Sequence, residues 1–87
     1  MLRIERSANG QVVFTLSGRM QTEDIEQFQQ LLVVETSGQP LMFDVRDVTL
    51  VNQDAVTFLA CCEANGIKLE RCPLHIRNWI DLEKRRR

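Results

Sequence analysis

Apolar residues along this chain switch repeatedly between a period of two and a period near 3.6. Leu2 and Ile4 alternate with Arg3 and Glu5, and beyond Asn9-Gly10 the residues Val12, Phe14 and Leu16 alternate with Val13, Thr15 and Ser17. Alternation marks half-buried strands, and Asn-Gly between two of them is the strongest short hairpin signal, so an antiparallel hairpin is predicted. From Thr22 the spacing becomes helical: Ile25, Phe28, Leu31 and Leu32 fall on one stripe. Thr22 is placed to cap this helix, while Glu23, Asp24 and Glu26 suit its positive end. The helix is expected to stop near Ser37-Gly38, ahead of Pro40.

A third strand reads from Leu41, Phe43 and Val45, alternating with Met42 and Asp44, and a loop is expected from Asp47 to Asn52. The second helix begins at Gln53 or Asp54 and runs to Ala64, with Val56, Phe58, Leu59 and Cys62 apolar; Asn65-Gly66 is a left-handed terminator. Ile67 and Leu69 make a short fourth strand, and Pro73 opens a third helix carrying Leu74, Ile76, Trp79 and Ile80.

The element order is therefore β-β-α-β-α-β-α, an α/β class. Strands joined through helices pair in parallel by right-handed crossovers, whereas the first strand pairs antiparallel through its hairpin, which gives a mixed four-stranded sheet. A sheet covered on both faces shows continuous apolar runs; here each strand keeps its large apolar residues on one parity, so the helices are expected on one face. The other face would display Arg3, Glu5, Val13, Thr15, Ser17, Met42, Asp44, Lys68 and Glu70. Neither a repeat nor a linker interrupts the pattern, and residues 1–87 read as one domain.

Composition narrows the class. Hydrophobic residues at 44% and charged residues at 26% suit a folded core and exclude a disordered or fibrous chain. No apolar run approaches the roughly 18–20 residues that cross a bilayer, and the first residues lack the apolar stretch of a signal peptide, so a cytoplasmic location is expected. Charge is uneven: residues 1–67 hold four basic against nine acidic side chains, residues 68–87 seven against three. The terminal Lys84-Arg85-Arg86-Arg87 reads first as a solvated helix end. With a formal net charge of −1 and no aromatic basic face, nucleic acid is not an expected partner.

Candidate chemistry is sparse. Cys61, Cys62 and Cys72 are an odd set without an export signal and read as reduced thiols. Cys72 and His75 stand three apart, yet a structural zinc site needs about four ligands and no second pair exists. His75 is the one histidine, so any nucleophile and base would have to use it, with Cys72 the nearest thiol and no orienting third group evident. The four glycines stand singly at turns and form no phosphate loop. Asp44 and Asp47 could suggest paired carboxylates, but read more simply as turn formers at a strand end. No catalytic residue, cofactor or metal is expected.

The element order, together with Leu16-Ser17-Gly18-Arg19-Met20, Met42-Phe43-Asp44-Val45 and the stretch from Val48 to Leu59, resembles the STAS domain across almost the whole chain. That family includes anti-sigma-factor antagonists and regulatory domains of transporters. The resemblance implies a non-enzymatic protein-interaction module, docking a regulatory partner of the anti-sigma-kinase type through Gly18, Arg19 and Met20 with Asn52, Gln53, Asp54 and Ala55. The alternative it implies is an accessory STAS-type subunit of a membrane lipid transporter, bound to its ATPase. The family signature at the start of the second helix is Asp-Ser-Ser/Thr-Gly, and here it reads Asn52-Gln53-Asp54-Ala55. The hydroxyl that accepts phosphate in the antagonists is thus replaced by Asp54. Two readings of Asp54 stand: a helix-capping replacement, which alone accounts for it, or a constitutive stand-in for a phosphate charge.

Typical members continue with a fifth strand and a final helix, whereas here the third helix runs into Glu83-Lys84 and the arginines. The fourth strand would then be an open edge, covered either by Trp79 and its neighbours or by a second copy in a homodimer.

Overall fold

The computed structural model describes residues 2–8, 10–34 and 41–86. Strand β1 (Leu2–Ala8) is followed by β2 (Val12–Met20), α1 (Thr22–Val34), β3 (Leu41–Val51), α2 (Gln53–Ala64), β4 (Lys68–Glu70) and α3 (Leu74–Arg85). The sheet order is β1-β2-β3-β4, antiparallel between β1 and β2 and parallel thereafter. The expected mixed four-stranded α/β fold is therefore present. Ala8 pairs with Val12, so three residues separate the strands, and Gly10 takes φ +76°. Asn9 of the predicted turn, the helix stop at Ser37-Gly38 before Pro40, and Arg87 lie outside the described residues.

Side-chain alternation decides which face of the sheet is covered. Val12, Phe14 and Leu16 of β2 and Phe43 and Val45 of β3 are buried, and they join one core with Ile25 and Phe28 of α1, Val56 and Leu59 of α2, and Ile76 and Ile80 of α3. Residues of the other parity, including Arg3, Thr15, Met42, Asp44 and Lys68, are exposed or half-buried, so the helices pack on one face and the other is bare. Phe28 sits at the centre. Its ring lies 5.5 Å from Phe14, 4.9 Å from Phe43 and 5.7 Å from Phe58, tying two strands and α2 to α1.

Two strands outrun their sequence signal. The second strand reaches Met20, and the expected loop from Asp47 to Asn52 is instead strand as far as Val51. The reason lies in pairing: between Thr15↔Asp44 and Ser17↔Asp47, and again between Gly18↔Val48 and Arg19↔Leu50, β3 carries one residue more than β2. Each extra residue is a β-bulge that inverts the parity beyond it. Val45, Val48 and Val51 thus all point inward at a spacing of three, which disguises a strand as a loop. Each bulge has a side chain beside it that binds backbone: the Arg46 amide donates to Asp44 Oδ1 at 3.1 Å, and Thr49 Oγ1 donates to the Gly18 carbonyl at 3.1 Å. Asp44 also faces Arg71 at 4.0 Å, so it serves these local contacts rather than pairing with Asp47.

Helix ends follow local chemistry. The Gly66 amide donates to Glu63 and the Ile67 amide to Cys62, with Gly66 at φ +93°, which closes α2 in a Schellman motif as Asn65-Gly66 predicts. Pro73 is the N-cap of α3 rather than part of its first turn, and Leu74, expected on the buried stripe, is 75% exposed. Leu31 of α1 is likewise exposed, because among the described side chains of this helix only Ile25, Phe28 and the half-buried Leu32 pack on the core. Trp79 is half-buried and packs against this chain's own core. Among the described residues no helix is long and apolar enough to cross a membrane.

A charge cluster fastens α3 to α2. Arg77 donates through both terminal nitrogens to Glu63 at 2.7 Å and reaches Asp81 at 2.9 Å, while Lys84 also bonds Glu63. The Arg77 hydrogen bonds, with Lys84 assisting against partial burial, hold the Glu63 carboxyl well down, from 4.5 to about 2. Lys84 and Arg86 of the basic run are thereby engaged, the latter 3.9 Å from Glu83.

Two outcomes follow. Phe28→Ala removes the ring shared by both strands and α2 and is expected to cost about 3–5 kcal/mol in urea unfolding. Because Glu63 titrates lower when folded, its contribution is complete above pH 4.5 and disappears as pH falls toward 2. The stability gap between wild type and Glu63→Gln should therefore be widest near neutrality and close over that window; a gap independent of pH would remove this account.

Candidate functional site

At the carboxyl ends of β2 and β3 two helices begin side by side, α1 at Thr22 and α2 at Gln53. Such ends of parallel strands are where open α/β sheets present binding residues. The local folding of this rim rests on Asn52. Its Oδ1 accepts from the Ala55 amide at 2.9 Å, which makes it the N-cap of α2, and its Nδ2 donates to Thr22 Oγ1 at 3.1 Å. Thr22 in turn donates to Asp54 Oδ2 at 2.7 Å. Asn52, Thr22 and Asp54 thus form one chain of hydrogen bonds across the two helix starts.

This arrangement corrects two expectations. Asp54 is not the cap: it stands one residue inside α2, its carboxylate turned to Thr22, and Asn52 satisfies the free amide. Nor does Thr22 cap α1, because Gln21 supplies the first carbonyl acceptor and Asp24 Oδ2 closes back on the Gln21 amide at 3.0 Å. Thr22 is freed to bridge.

Of the residues expected at a docking surface, Asn52, Gln53 and Asp54 are brought together and accessible. Gln53 turns the other way, donating to Glu83 at 2.8 Å, and Thr57 donates to the same carboxylate at 3.3 Å rather than back-bonding within its helix. Arg19 is exposed on β2 beside Leu50, on the parity opposite to Met20. Gly18 is in the strand at φ +93°, next to a bulge, and is half-buried. Met20 and Ala55 are fully buried and cannot touch a partner; they anchor the two helix starts to the core. Sequence reasoning missed Thr22 and Glu83 as members of this region. Both are about thirty residues from their partners in the chain, and no local spacing announces such a contact.

Between α1 and α2 runs a furrow of about 330 Å³, lined by Thr22, Ile25, Glu26, Gln29, Asp54, Thr57, Phe58 and Cys61. A second hollow of about 430 Å³ on α1 shares Glu26 and Gln29 and adds Gln30 and Val33. Burial pushes the Cys62 thiol up to about 12, with neighbouring Cys61 adding to it, and burial also raises Cys72. Neither is an activated nucleophile. Among the described residues no three His, Cys, Asp or Glu side chains converge as metal ligands, and the three cysteines form no disulfide.

No family model matches the chain, and no curated protein matches it. Among solved structures it is similar to an uncharacterized protein of the DUF3478 family with a SpoIIAA-like fold from Shewanella loihica PV-4, at TM-score 0.57 and 17% identity. The match covers 78% of this chain and 65% of that one, so the chain spans just under two thirds of its neighbour's length. This likeness is one of fold: the fold is SpoIIAA-like.

Because Asn52 is the cap, Asn52→Ala should cost about 1 kcal/mol, whereas Asp54→Asn, which keeps an acceptor for Thr22, should stay within about 0.5 kcal/mol of wild type. Thermal unfolding of the two variants checks the assignment.

Proposed function

We propose that the chain is a non-enzymatic docking module of the anti-sigma-factor-antagonist type, which binds a regulatory protein through the start of α2. The observation that carries this reading is Asp54, exposed at the rim and oriented by Thr22 and Asn52. A carboxylate there cannot take a phosphate in the exchange that antagonists undergo, and it presents one fixed negative charge where a phosphoserine presents about −1.5 to −2. The module therefore binds without being switched at this position.

Affinity capture from the native host checks the proposal. Wild-type protein should retain a stoichiometric partner, and Asp54→Arg, which reverses the charge at the rim, should lose it; equal retention by both removes this surface. A captured transporter ATPase, in place of an anti-sigma kinase or related regulator, would assign the chain to the transporter-subunit alternative.

A further inference from the structure

Neither α1 nor α2 contains a lysine, arginine or histidine, while Glu23, Asp24, Glu26, Asp54 and Glu63 bring five carboxylates. Two of these are committed elsewhere: Asp24 closes on the Gln21 amide, and Glu63 is held by Arg77 and Lys84. Glu26 and Asp54 line the furrow between the helices, with Ile25, Phe58 and Cys61 among its apolar lining. From Thr22 to Gln29 the furrow follows α1 for two turns, roughly 10 Å. It is an apolar trough with acidic lips.

We infer that this furrow receives an amphipathic helix of a partner protein, its apolar stripe laid over Ile25, Phe58 and Cys61 and its lysines or arginines set against Glu26 and Asp54. The inference rests on the docking reading above and specifies the partner's chemistry. A helix fits because both walls are helices, whose backbone groups are spent internally; an extended peptide needs an open strand edge to pair with, and none lies here. Cationic flanks fit because an anionic helix would meet only like charge on both walls. This chain's own α3 is a poor occupant. Its outer residues Leu82, Arg85 and Arg86 are interleaved with Asp81 and Glu83, and Arg86 already pairs with Glu83.

The test uses the whole chain and a synthetic peptide of about fifteen residues, with leucines at i, i+3 and i+7 spacing flanked by lysines, against a scrambled peptide of the same composition. Titration followed by amide NMR should move the signals of Ile25, Gln29, Phe58 and Cys61 with the patterned peptide, and the scrambled one should bind about ten-fold more weakly. Glu26→Lys should weaken binding by about ten-fold, and added salt should weaken it further. No binding, equal binding of the scrambled peptide, or shifts confined to the bare sheet face would overturn the inference. So would a mass that doubles with concentration and reverts in Glu26→Lys, which would assign the furrow to a second copy. Retention of the native partner by Glu26→Lys, with its loss by Asp54→Arg, would leave the docking rim standing and remove the furrow.

Discussion

The packing of Phe28 against rings from β2, β3 and α2 is the contact on which this molecule turns. Each of those ring pairs contributes about 0.5–1.5 kcal/mol beyond simple burial, but their geometric effect is larger. They fix α1 over the middle of the sheet and set its distance from α2. The separation of the two helices, and so the furrow and the junction of their amino-terminal ends, follows from where one side chain sits.

Much of this was legible in the residues. The parity of Val12, Phe14 and Leu16 gave the covered face, and the change of period at Thr22 gave the first helix. Asn65-Gly66 marked the end of the second helix to the residue. What could not be read was the far half of β3. Alternation is a signal only while both strands advance in step, and Val45, Val48 and Val51 advance by threes because β3 is the longer of an unequal pair. Leu31 and Leu74 misled for a related reason: an apolar stripe shows that a helix has an inner face, not how wide that face is.

The rim was legible in outline only. A polar tetrapeptide after a strand suggested a helix start, and Asn52, Gln53 and Asp54 do gather there. Which of them caps was not decidable from type, since Asn and Asp rank alike at that position and differ here by where Thr22 stands. Met20 and Ala55 were drawn into the expected surface by their neighbours in sequence, but a strand turns adjacent residues to opposite faces and a helix turns them about 100° apart, and both side chains are buried. The acidic character of α1 and α2 together was open to view from the start; its meaning required knowing that the two helices face each other.

The two bulges of β3 are self-contained, and this bears on how the chain can drift. At each, the surplus residue is exposed, Arg46 at one and Thr49 at the other, while the inward valines keep their places. Losing a single residue at either point would restore even pairing without moving a buried atom, whereas the same loss at Val48 would open a hole. Homologues can therefore differ in length through this strand by one or two positions while sharing one core, and an alignment that forbids gaps within strands would place their functional rims out of step.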